Sequence, residues 1–153
     1  MKAISSRDNP LYKELLGLAN DRRARRQSGC TLLDGPHLLQ AGLEAGLTFR
    51  RLVFSEAGAA GELIDWCQRL QHALPCVLPN AMFNALTPVE TPVGVLAVID
   101  IPQPVNTAQD ECIVLLENIQ DPGNLGAMLR VAAAAGADAV HLSQGCSDAW
   151  SPK

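Results

Sequence analysis

Apolar residues recur along this chain in two patterns, as short runs bounded by turn residues and as longer stretches in which leucine or alanine returns every three or four positions. The first pattern is typical of buried strands and the second of helices that bury one side. The short runs predict strands at 31–33, 51–54, 76–78 and 93–99. The periodic stretches predict helices from Pro10 to about Ser28 and at 37–46, 61–74 and 80–86. Strands alternating with helices predict an α/β layer domain over the first hundred residues.

The alternation returns once more near the end of the chain, around a polar turn. Residues 113–116 predict a strand, 122–136 a helix and 139–142 a second strand. Asp121 followed by Pro122 marks the helix start, because an acidic side chain caps the first amide groups and proline suits the first helical position. Six residues at helical spacing predict the buried side of this helix: Leu125, Met128, Leu129, Ala132, Ala133 and Gly136.

Residues 101–111 separate the two parts with two prolines and mostly polar side chains, which predicts an extended linker. We therefore expect one domain at 1–100 and a second at 112–153. The second has about forty residues, too few to bury a core of its own. We expect it to be a truncated domain or one completed by another chain, with apolar surface exposed around 113–142.

Composition narrows the class of protein. No apolar run approaches the ~20 residues of a membrane helix, and the first residues lack the apolar stretch of a signal peptide, so we expect a cytoplasmic protein without a membrane partner. Five scattered cysteines form no C-x-x-C pair, so neither a disulfide framework nor a metal site is predicted. They are expected to pack as small hydrophobic side chains, Cys76 and Cys112 most clearly.

Positive charge is concentrated at the start of a chain whose net charge is −4. Residues 1–26 hold seven Lys or Arg against three acidic residues, and four of the seven lie in the run Arg22, Arg23, Arg25 and Arg26. Two interpretations stay open. The arginines are a solvated end of the first helix, or they form a basic face that attracts phosphates within about 10 Å.

The polar turn at 117–121 also allows more than one interpretation. The start of the helix could bind an anion or a nucleotide, but Asp121 places negative charge there and the glycine spacing of a dinucleotide fold is absent. Alternatively, Asn118, Asn124 and Arg130 converge at the carboxyl end of a strand, where open α/β sheets favour ligand sites. A solvated Arg130 is the third possibility.

A family resemblance weighs on this choice. The run 118–140, NIQDPGNLGAMLRVAAAAGADAV, closely resembles the first motif of the SpoU family, also called TrmH, and residues 143–153 resemble the segment that follows it. These proteins are S-adenosylmethionine-dependent RNA 2′-O-ribose methyltransferases of the SPOUT superfamily. Residues 4–10, 33–39 and 91–97 resemble the family's substrate-binding domain.

The resemblance implies a fold and an activity. The expected fold is an N-terminal α/β sandwich similar to a ribosomal protein, followed by the first βαβ portion of a normally knotted SPOUT domain. The expected partner is RNA, either ribosomal or transfer RNA, and the full-length protein is expected to be a homodimer. By the match to the motif, Arg130 is the catalytic arginine and Asn124 the asparagine that accompanies it.

Two departures from the family pattern qualify these expectations. Val131 stands where the family commonly has threonine or serine, and the second and third motifs, which supply most of the cofactor cleft, are missing. We therefore expect no cofactor-binding residues in this chain, weak binding of S-adenosylmethionine, and no methyl transfer by the chain alone. Such a fragment would be monomeric or would associate through its exposed apolar surface. The alternative is a non-enzymatic RNA-binding protein with a vestigial methyltransferase segment.

The expected RNA contacts combine the arginine run with the resemblance at the N-terminus. They are Arg7, Asn9, Arg22, Arg23, Arg25 and Arg26.

Overall fold

The computed structural model describes residues 1–61, 65–104 and 111–152, and the chain forms two compact units, which divide after Pro102. Residues 62–64 of the predicted third helix and 105–110 of the predicted linker lie outside the described residues. We call Met1–Pro102 the N-terminal unit and Gln103–Ser151 the C-terminal unit.

Five strands form the sheet of the N-terminal unit: β1 (Lys2–Ala3), β2 (Cys30–Asp34), β3 (Phe49–Ser55), β4 (Leu74–Leu78) and β5 (Val95–Asp100). Their order in the sheet is β1-β4-β3-β5-β2. β4 pairs in parallel with β1 and β3, whereas β5 pairs antiparallel with β3 and β2. The sheet is therefore mixed, and β3 and β5 lie at its centre.

Six described helices belong to this unit: α1 (Pro10–Asn20), α2 (Arg22–Ser28), α3 (Pro36–Glu44), α4 (Glu56–Ala59), α5 (Trp66–Arg69) and α6 (Asn80–Asn84). Both faces of the sheet are covered, because successive side chains of a strand point to opposite faces. Val53 joins a core cluster with residues of α1 and α6, while its neighbours Leu52 and Phe54 join a second cluster with residues of α3 and α5. The prediction of an α/β layer fold is confirmed.

The first predicted helix is two helices, and this corrects the placement of the arginines. Asp21 has extended backbone angles and ends α1. Its side chain then accepts a hydrogen bond of 2.7 Å from the Arg23 N–H and so caps α2. An aspartate competes well as a cap, and a cap residue adopts non-helical angles. The arginines therefore form a helix of their own, which ends at Ser28.

The predicted helix at 61–74 is wrong in its length. Within the described residues α5 ends at Arg69, and β4 begins at Leu74. Leu70 leaves the helical region and ends α5, and Pro75 disfavours helical angles at Leu74, which is extended. The sequence also gave no sign of β1, whose two residues pair with Cys76 and Val77 across the length of the unit.

The C-terminal unit is one βαβ motif: β6 (Ile113–Leu116), α7 (Pro122–Ala134) and β7 (Ala139–Leu142), with the two strands parallel. The predicted buried side of α7 is only partly confirmed. Leu125 and Ala132 are buried, whereas Met128, Ala133 and Gly136 are exposed. A single pair of strands is too narrow to cover the whole stripe.

Apolar surface is exposed in this unit, as predicted. The exposed fraction is 77% for Leu115 and 68% for Val131, and Ile113 and Met128 are also exposed. The predicted knot stays a prediction. None of the helices in the described part of the chain has the length and apolar character needed to cross a membrane. Within the same residues no cluster of three His, Cys, Asp or Glu side chains is placed to hold a metal ion.

Candidate functional site

The polar segments that follow β6 and β7 meet at one edge of the two-stranded sheet, because the strands are parallel. Hydrogen bonds join the segments directly. The Asn118 N–H donates to Ser143 Oγ at 3.1 Å, and the Ser147 N–H donates to the Ile119 carbonyl at 2.7 Å. The Ser147 hydroxyl also donates to the Gln120 carbonyl at 2.7 Å. We call residues 117–121 and 143–148 the strand-end loops.

Cys146 belongs to the second strand-end loop, and its buried side chain lies against the first. Its Sγ accepts a hydrogen bond from the Ile119 N–H at 3.4 Å and donates to the Leu116 carbonyl at 3.3 Å. Burial acts to raise the pKa of this thiol, but hydrogen bonds from Ile119 and Ser143 outweigh it and the pKa is lowered. Cys146 is thus more than the packing residue that the sequence predicted. Cys112, predicted to pack inside, is exposed.

Asn118 takes a backbone conformation that few side chains tolerate. Its φ is +56°, in the left-handed region where asparagine is one of the few favoured residues other than glycine. The Asn118 Oδ1 accepts a hydrogen bond from Gln120 Nε2 at 3.2 Å. A Cβ at Gly145 would lie 2.8 Å from that same oxygen, so any other residue there would force the Asn118 side chain to shift.

Asn124 and Arg130 do not converge with each other. Asn124 is the third residue of α7, and Arg130 lies six residues further along the helix. Six residues correspond to about 9 Å along the axis and about 120° around it, so the two side chains leave opposite flanks of α7. Val131, the position that departs from the family pattern, is exposed and lies on the Asn124 flank. The expectation of three converging side chains is corrected by this geometry.

Arg130 is the single Lys or Arg between residues 111 and 152, and its side chain is exposed. Among the described residues it makes no hydrogen bond or ion pair. The same stretch holds five acidic residues: Glu111, Glu117, Asp121, Asp138 and Asp148. An anion that approaches the C-terminal unit therefore finds one cation available to it.

The α2 basic surface, which we define as Arg22, Arg23 and Arg26, is the second candidate site. On a helix these residues fall within an arc of about 100° and a rise of about 6 Å. Arg23 and Arg26 are exposed, and Arg22 is half-buried. Arg7 is also exposed and lies in the turn that precedes α1. Three guanidinium groups on one side of a short helix can bind neighbouring phosphates.

Two of the predicted RNA contacts have structural roles. Arg25 is buried, and its Nη1 donates a hydrogen bond of 2.7 Å to the Leu18 carbonyl, which fixes α2 against the end of α1. Asn9 caps α1, because its Oδ1 accepts a hydrogen bond from the Leu11 N–H at 2.9 Å. The expectation that Arg25 presents its guanidinium to RNA is therefore corrected, whereas the expected RNA contact of Asn9 stays a prediction.

Sequence reasoning missed Asp21 and the loop residues Ser143, Cys146 and Ser147. Asp21 had a signal, since an acidic residue just before an arginine run is a good helix cap. The loop residues also had one, because small polar residues follow the second of two parallel strands, at the edge where the first loop lies. Their pairing spans about 25 residues and could not be derived from local pattern.

Comparison with protein families accounts for both units. Residues 9–97 match the MRM3-like substrate binding domain, and residues 111–153 match the SpoU rRNA Methylase family. The first match alone covers more than half of the chain. The boundary between the matches contains the prolines of the predicted linker.

Curated relatives and solved structures agree with these matches. The chain is 34% identical over 155 residues to the 23S rRNA (guanosine(2553)-2′-O)-methyltransferase RlmP of Bacillus subtilis, covering 100% of this chain and 59% of the relative. A crystal structure of an RNA 2′-O ribose methyltransferase superposes with a TM-score of 0.72 at 30% identity, covering 98% of this chain and 58% of the other.

A third comparison bears on the fold alone. The AdoMet complex of the SpoU methyltransferase AviRb from Streptomyces viridochromogenes superposes with a TM-score of 0.81 at 24% identity. The superposition covers 95% of this chain and 57% of AviRb. The chain thus spans less than two thirds of the length of each of these proteins.

Proposed function

We propose that this chain, which belongs to the SpoU rRNA methylase family as its motif predicts, is the RNA-binding and first catalytic portion of an enzyme. The enzyme uses S-adenosylmethionine to methylate ribose 2′-hydroxyls of ribosomal RNA. The observation that carries the proposal is the placement of its arginines. The α2 basic surface gives the N-terminal unit a place for RNA phosphates, and Arg130 gives an otherwise acidic C-terminal unit one cation for the reacting ribose. The methyltransferase relatives support the reaction class.

We further propose that the described residues do not hold the cofactor by themselves. The polar groups at the strand ends are used in bonding the two strand-end loops to each other, through Asn118, Ser143 and Ser147. Within the described residues these loops are drawn together around Cys146. S-adenosylmethionine would supply the methyl group, and its site requires residues beyond those described.

The chemistry of the arginine side chain limits the role that Arg130 can take in the reaction. An arginine side chain stays protonated at any physiological pH, so it is a poor general base. Its planar guanidinium suits a different task, which is to bind an RNA phosphate and hold the adjacent ribose 2′-oxygen in line for attack. Removal of the hydroxyl proton is then assisted by the bound phosphate. Asn124, on the other flank of α7, is assigned to the same reaction by its motif and not by proximity to Arg130.

The test of Arg130 is methylation of tritium-labelled ribosomal RNA by the full-length protein. Arg130→Ala is expected to lower turnover by about 100-fold or more, the usual cost of losing one charged group that stabilises the transition state. Arg130→Lys is expected to recover part of the turnover, because lysine keeps the charge but not the planar geometry. Near-normal turnover in Arg130→Ala would remove this residue from the reaction.

The test of the α2 basic surface is the salt dependence of RNA binding. Each phosphate contact contributes about 0.7–0.9 to the slope of log affinity against log salt. Arg23→Ala/Arg26→Ala is therefore expected to flatten the slope by about 1.5. The control is Arg50→Ala/Arg69→Ala, which removes the same charge elsewhere on the N-terminal unit and is expected to change the slope by less than half as much. Equal slopes for the two double variants would exclude the proposed surface.

A second candidate function is RNA binding without catalysis. One observation favours it, namely that the C-terminal unit leaves Leu115 and Val131 exposed and buries little of α7. Methylation by the full-length protein separates the two candidates.

We also propose that the full-length protein is a homodimer, supported by this exposed surface and tested by sedimentation equilibrium.

A further inference from the structure

The N-terminal unit contains a cavity of about 330 Å³ that includes no residue of the α2 basic surface. It lies between the end of α3, the start of β3 and the segment that joins α5 to β4. Its apolar lining consists of Leu43, Leu47, Phe49, Leu70 and Ala73, which are buried or half-buried. This volume is near the lower limit for ligand pockets, so the cavity suits a group of about one ring system.

The other lining side chains are polar and exposed, and we call them the polar rim: Thr48, Arg69, Gln71 and His72. Among the described residues, the side chains of Thr48, Gln71 and His72 make no hydrogen bond or ion pair, so a ligand can use their polar atoms. The lining, as far as the chain is described, contains no acidic side chain. An apolar interior with a polar rim free of carboxylates suits a heteroaromatic ring that belongs to an anionic molecule.

Arg69 is held in place as part of this rim. Its guanidinium lies 4.0 Å from the Trp66 ring centroid and donates a hydrogen bond to Gln40 Oε1. Gln40 in turn donates to Glu44, so Arg69 reaches a carboxylate only through a neutral amide. Because these contacts already occupy the guanidinium, we assign it to the wall of the cavity and not to an RNA phosphate.

Unpaired RNA bases have the chemistry that this lining matches. Proteins bind such bases by stacking them on histidine or other aromatic rings, or on guanidinium planes, and by hydrogen bonds to the base edges. Here His72 provides the ring and Arg69 the guanidinium plane. Thr48 and Gln71 provide donors and acceptors for the edge of a base.

The cavity and α2 lie at the same edge of the sheet. α2 ends at Ser28, just before β2 begins at Cys30, and Thr48 directly precedes β3. Asp100 of β5 pairs with Cys30, and its N–H donates to the Thr48 carbonyl at 3.0 Å. The starts of β2 and β3 are therefore two strand spacings apart, about 10 Å, so one RNA molecule can contact both places.

We propose, resting on the RNA-binding function above, that this cavity binds one unpaired base of the RNA whose phosphates contact the α2 basic surface. Phosphate contacts release counterions and so weaken as salt is added, whereas a contact to an uncharged base releases none. The N-terminal unit then binds RNA through two separable contributions. The α2 basic surface supplies the part that depends on salt, and the cavity supplies a part that does not.

The test measures the affinity of the chain for two fluorescein-labelled RNAs by anisotropy. One is an unstructured RNA of about 20 nucleotides that contains all four bases, and the other is an abasic RNA of the same length, which keeps every phosphate. His72→Ala is expected to weaken binding of the first by about 10-fold, the usual cost of one lost stack, and to leave binding of the second unchanged. The slope of log affinity against log salt should be the same for His72→Ala and the parent chain.

Two further variants show whether the cavity and the ring are responsible. His37 is the other exposed histidine of the N-terminal unit and does not line the cavity, so His37→Ala is the matched control, with an expected change below about twofold. His72→Phe keeps a stacking ring without the imidazole nitrogens and is expected to stay within about threefold of the parent chain. Because both histidines are exposed, urea unfolding followed through Trp66 should give the same stability for all three variants.

The remaining outcomes separate this inference from the proposed function. Unchanged affinity of His72→Ala for the RNA with bases would overturn the inference and leave RNA binding standing. A loss as large in His37→Ala or in His72→Phe as in His72→Ala would contradict it too. If His72→Ala weakened binding of free nucleoside monophosphates but not of RNA, the cavity would belong to free nucleotides and the inference would fail. Failure of the parent chain to bind either RNA would overturn both.

Discussion

Leu52 and Leu115 are both strand leucines, yet the exposed fraction is 0% for the first and 77% for the second. Leu52 lies in β3, which has a neighbouring strand on each edge and helices over both faces. Leu115 lies in β6, which has one neighbouring strand and one helix. The difference teaches that the number of layers around a strand, and not the residue type, decides what an apolar side chain contributes to stability.

The two units also differ in where they carry positive charge. The α1–α2 layer of the N-terminal unit exposes Lys13, Arg23 and Arg26, whereas the C-terminal unit carries Arg130 among acidic residues. A surface with many cations suits affinity for RNA, and a single cation suits orientation of one group. The proposed division of labour between binding and chemistry follows this contrast.

The largest expected contrast is between the alanine variants of the two leucines. Leu52→Ala should lower the free energy of unfolding of the N-terminal unit by about 2–5 kcal/mol, because it removes buried methyl groups and leaves a cavity. Leu115→Ala should change that of the C-terminal unit by less than about 0.5 kcal/mol, since the side chain is already in water. Urea unfolding, monitored by tryptophan fluorescence, measures both changes in the free energy of unfolding.

The chain provides a separate reporter for each unit in this measurement. Trp66 is in the N-terminal unit and Trp150 in the C-terminal unit, so Trp150→Phe and Trp66→Phe backgrounds isolate the two signals. Both buried clusters consist of residues of the N-terminal unit. A Leu115→Ala cost as large as that of Leu52→Ala would show that β6 is covered in solution.

A pair of glycines gives the next largest contrast. A Cβ at Gly58 would lie 2.2 Å from the carbonyl oxygen of Gly94, whereas a Cβ at Gly126 meets nothing within 4 Å. Gly58→Ala should therefore destabilise the N-terminal unit by about 1–3 kcal/mol through overpacking. Gly126→Ala should stabilise α7 by up to about 1 kcal/mol, because alanine has the higher helix propensity. Thermal unfolding of each variant shows whether its stability rises or falls. A change in the same direction for both variants would contradict this prediction.

The smallest expected effect concerns the pH dependence of the N-terminal unit. Burial raises the pKa of the half-exposed Asp34 carboxyl above 3.8, against the opposing hydrogen bond from Thr87. The folded state then holds this proton more tightly, so the stability that Asp34 contributes is full below about pH 3.8 and is lost as pH rises through the folded-state pKa. Asp34→Asn removes this loss of stability at high pH. Because solvent screens the half-exposed carboxyl, the variant should be more stable than the parent chain by less than about 1 kcal/mol at pH 7.

Urea unfolding at pH 3.5 and pH 7 measures this difference. The stability of Asp34→Asn relative to the parent chain should rise between the two values when Trp66 is the reporter, with no change when Trp150 is. A relative stability that falls with pH would mean that the carboxylate is stabilised by folding.

Local pattern predicted most elements of the N-terminal unit, because a complete core makes each strand and helix follow its own hydrophobic period. It predicted α1 from Asn9-Pro10 and β5 from its apolar run, and the motif at 118–140 identified the family. It could not find β1, whose partners are distant in sequence, or the burial of Arg25, which depends on the packing of α2 against α1. The turn at Asp21 had a local signal, its capping side chain. The divergence of Asn124 and Arg130 was within reach of local pattern, because it follows from a spacing of six residues on one helix.

The bonds between the strand-end loops have a consequence for synthesis. They join residues 25 to 30 positions apart, from Leu116 and Asn118 to Ser143 and Cys146. While the ribosome is still making α7, the first loop has no partner, and its carbonyl and amide groups are bound to water. The bonds that close this edge can form only after Ser143, Cys146 and Ser147 have left the exit tunnel, so the N-terminal unit can fold before this edge takes shape.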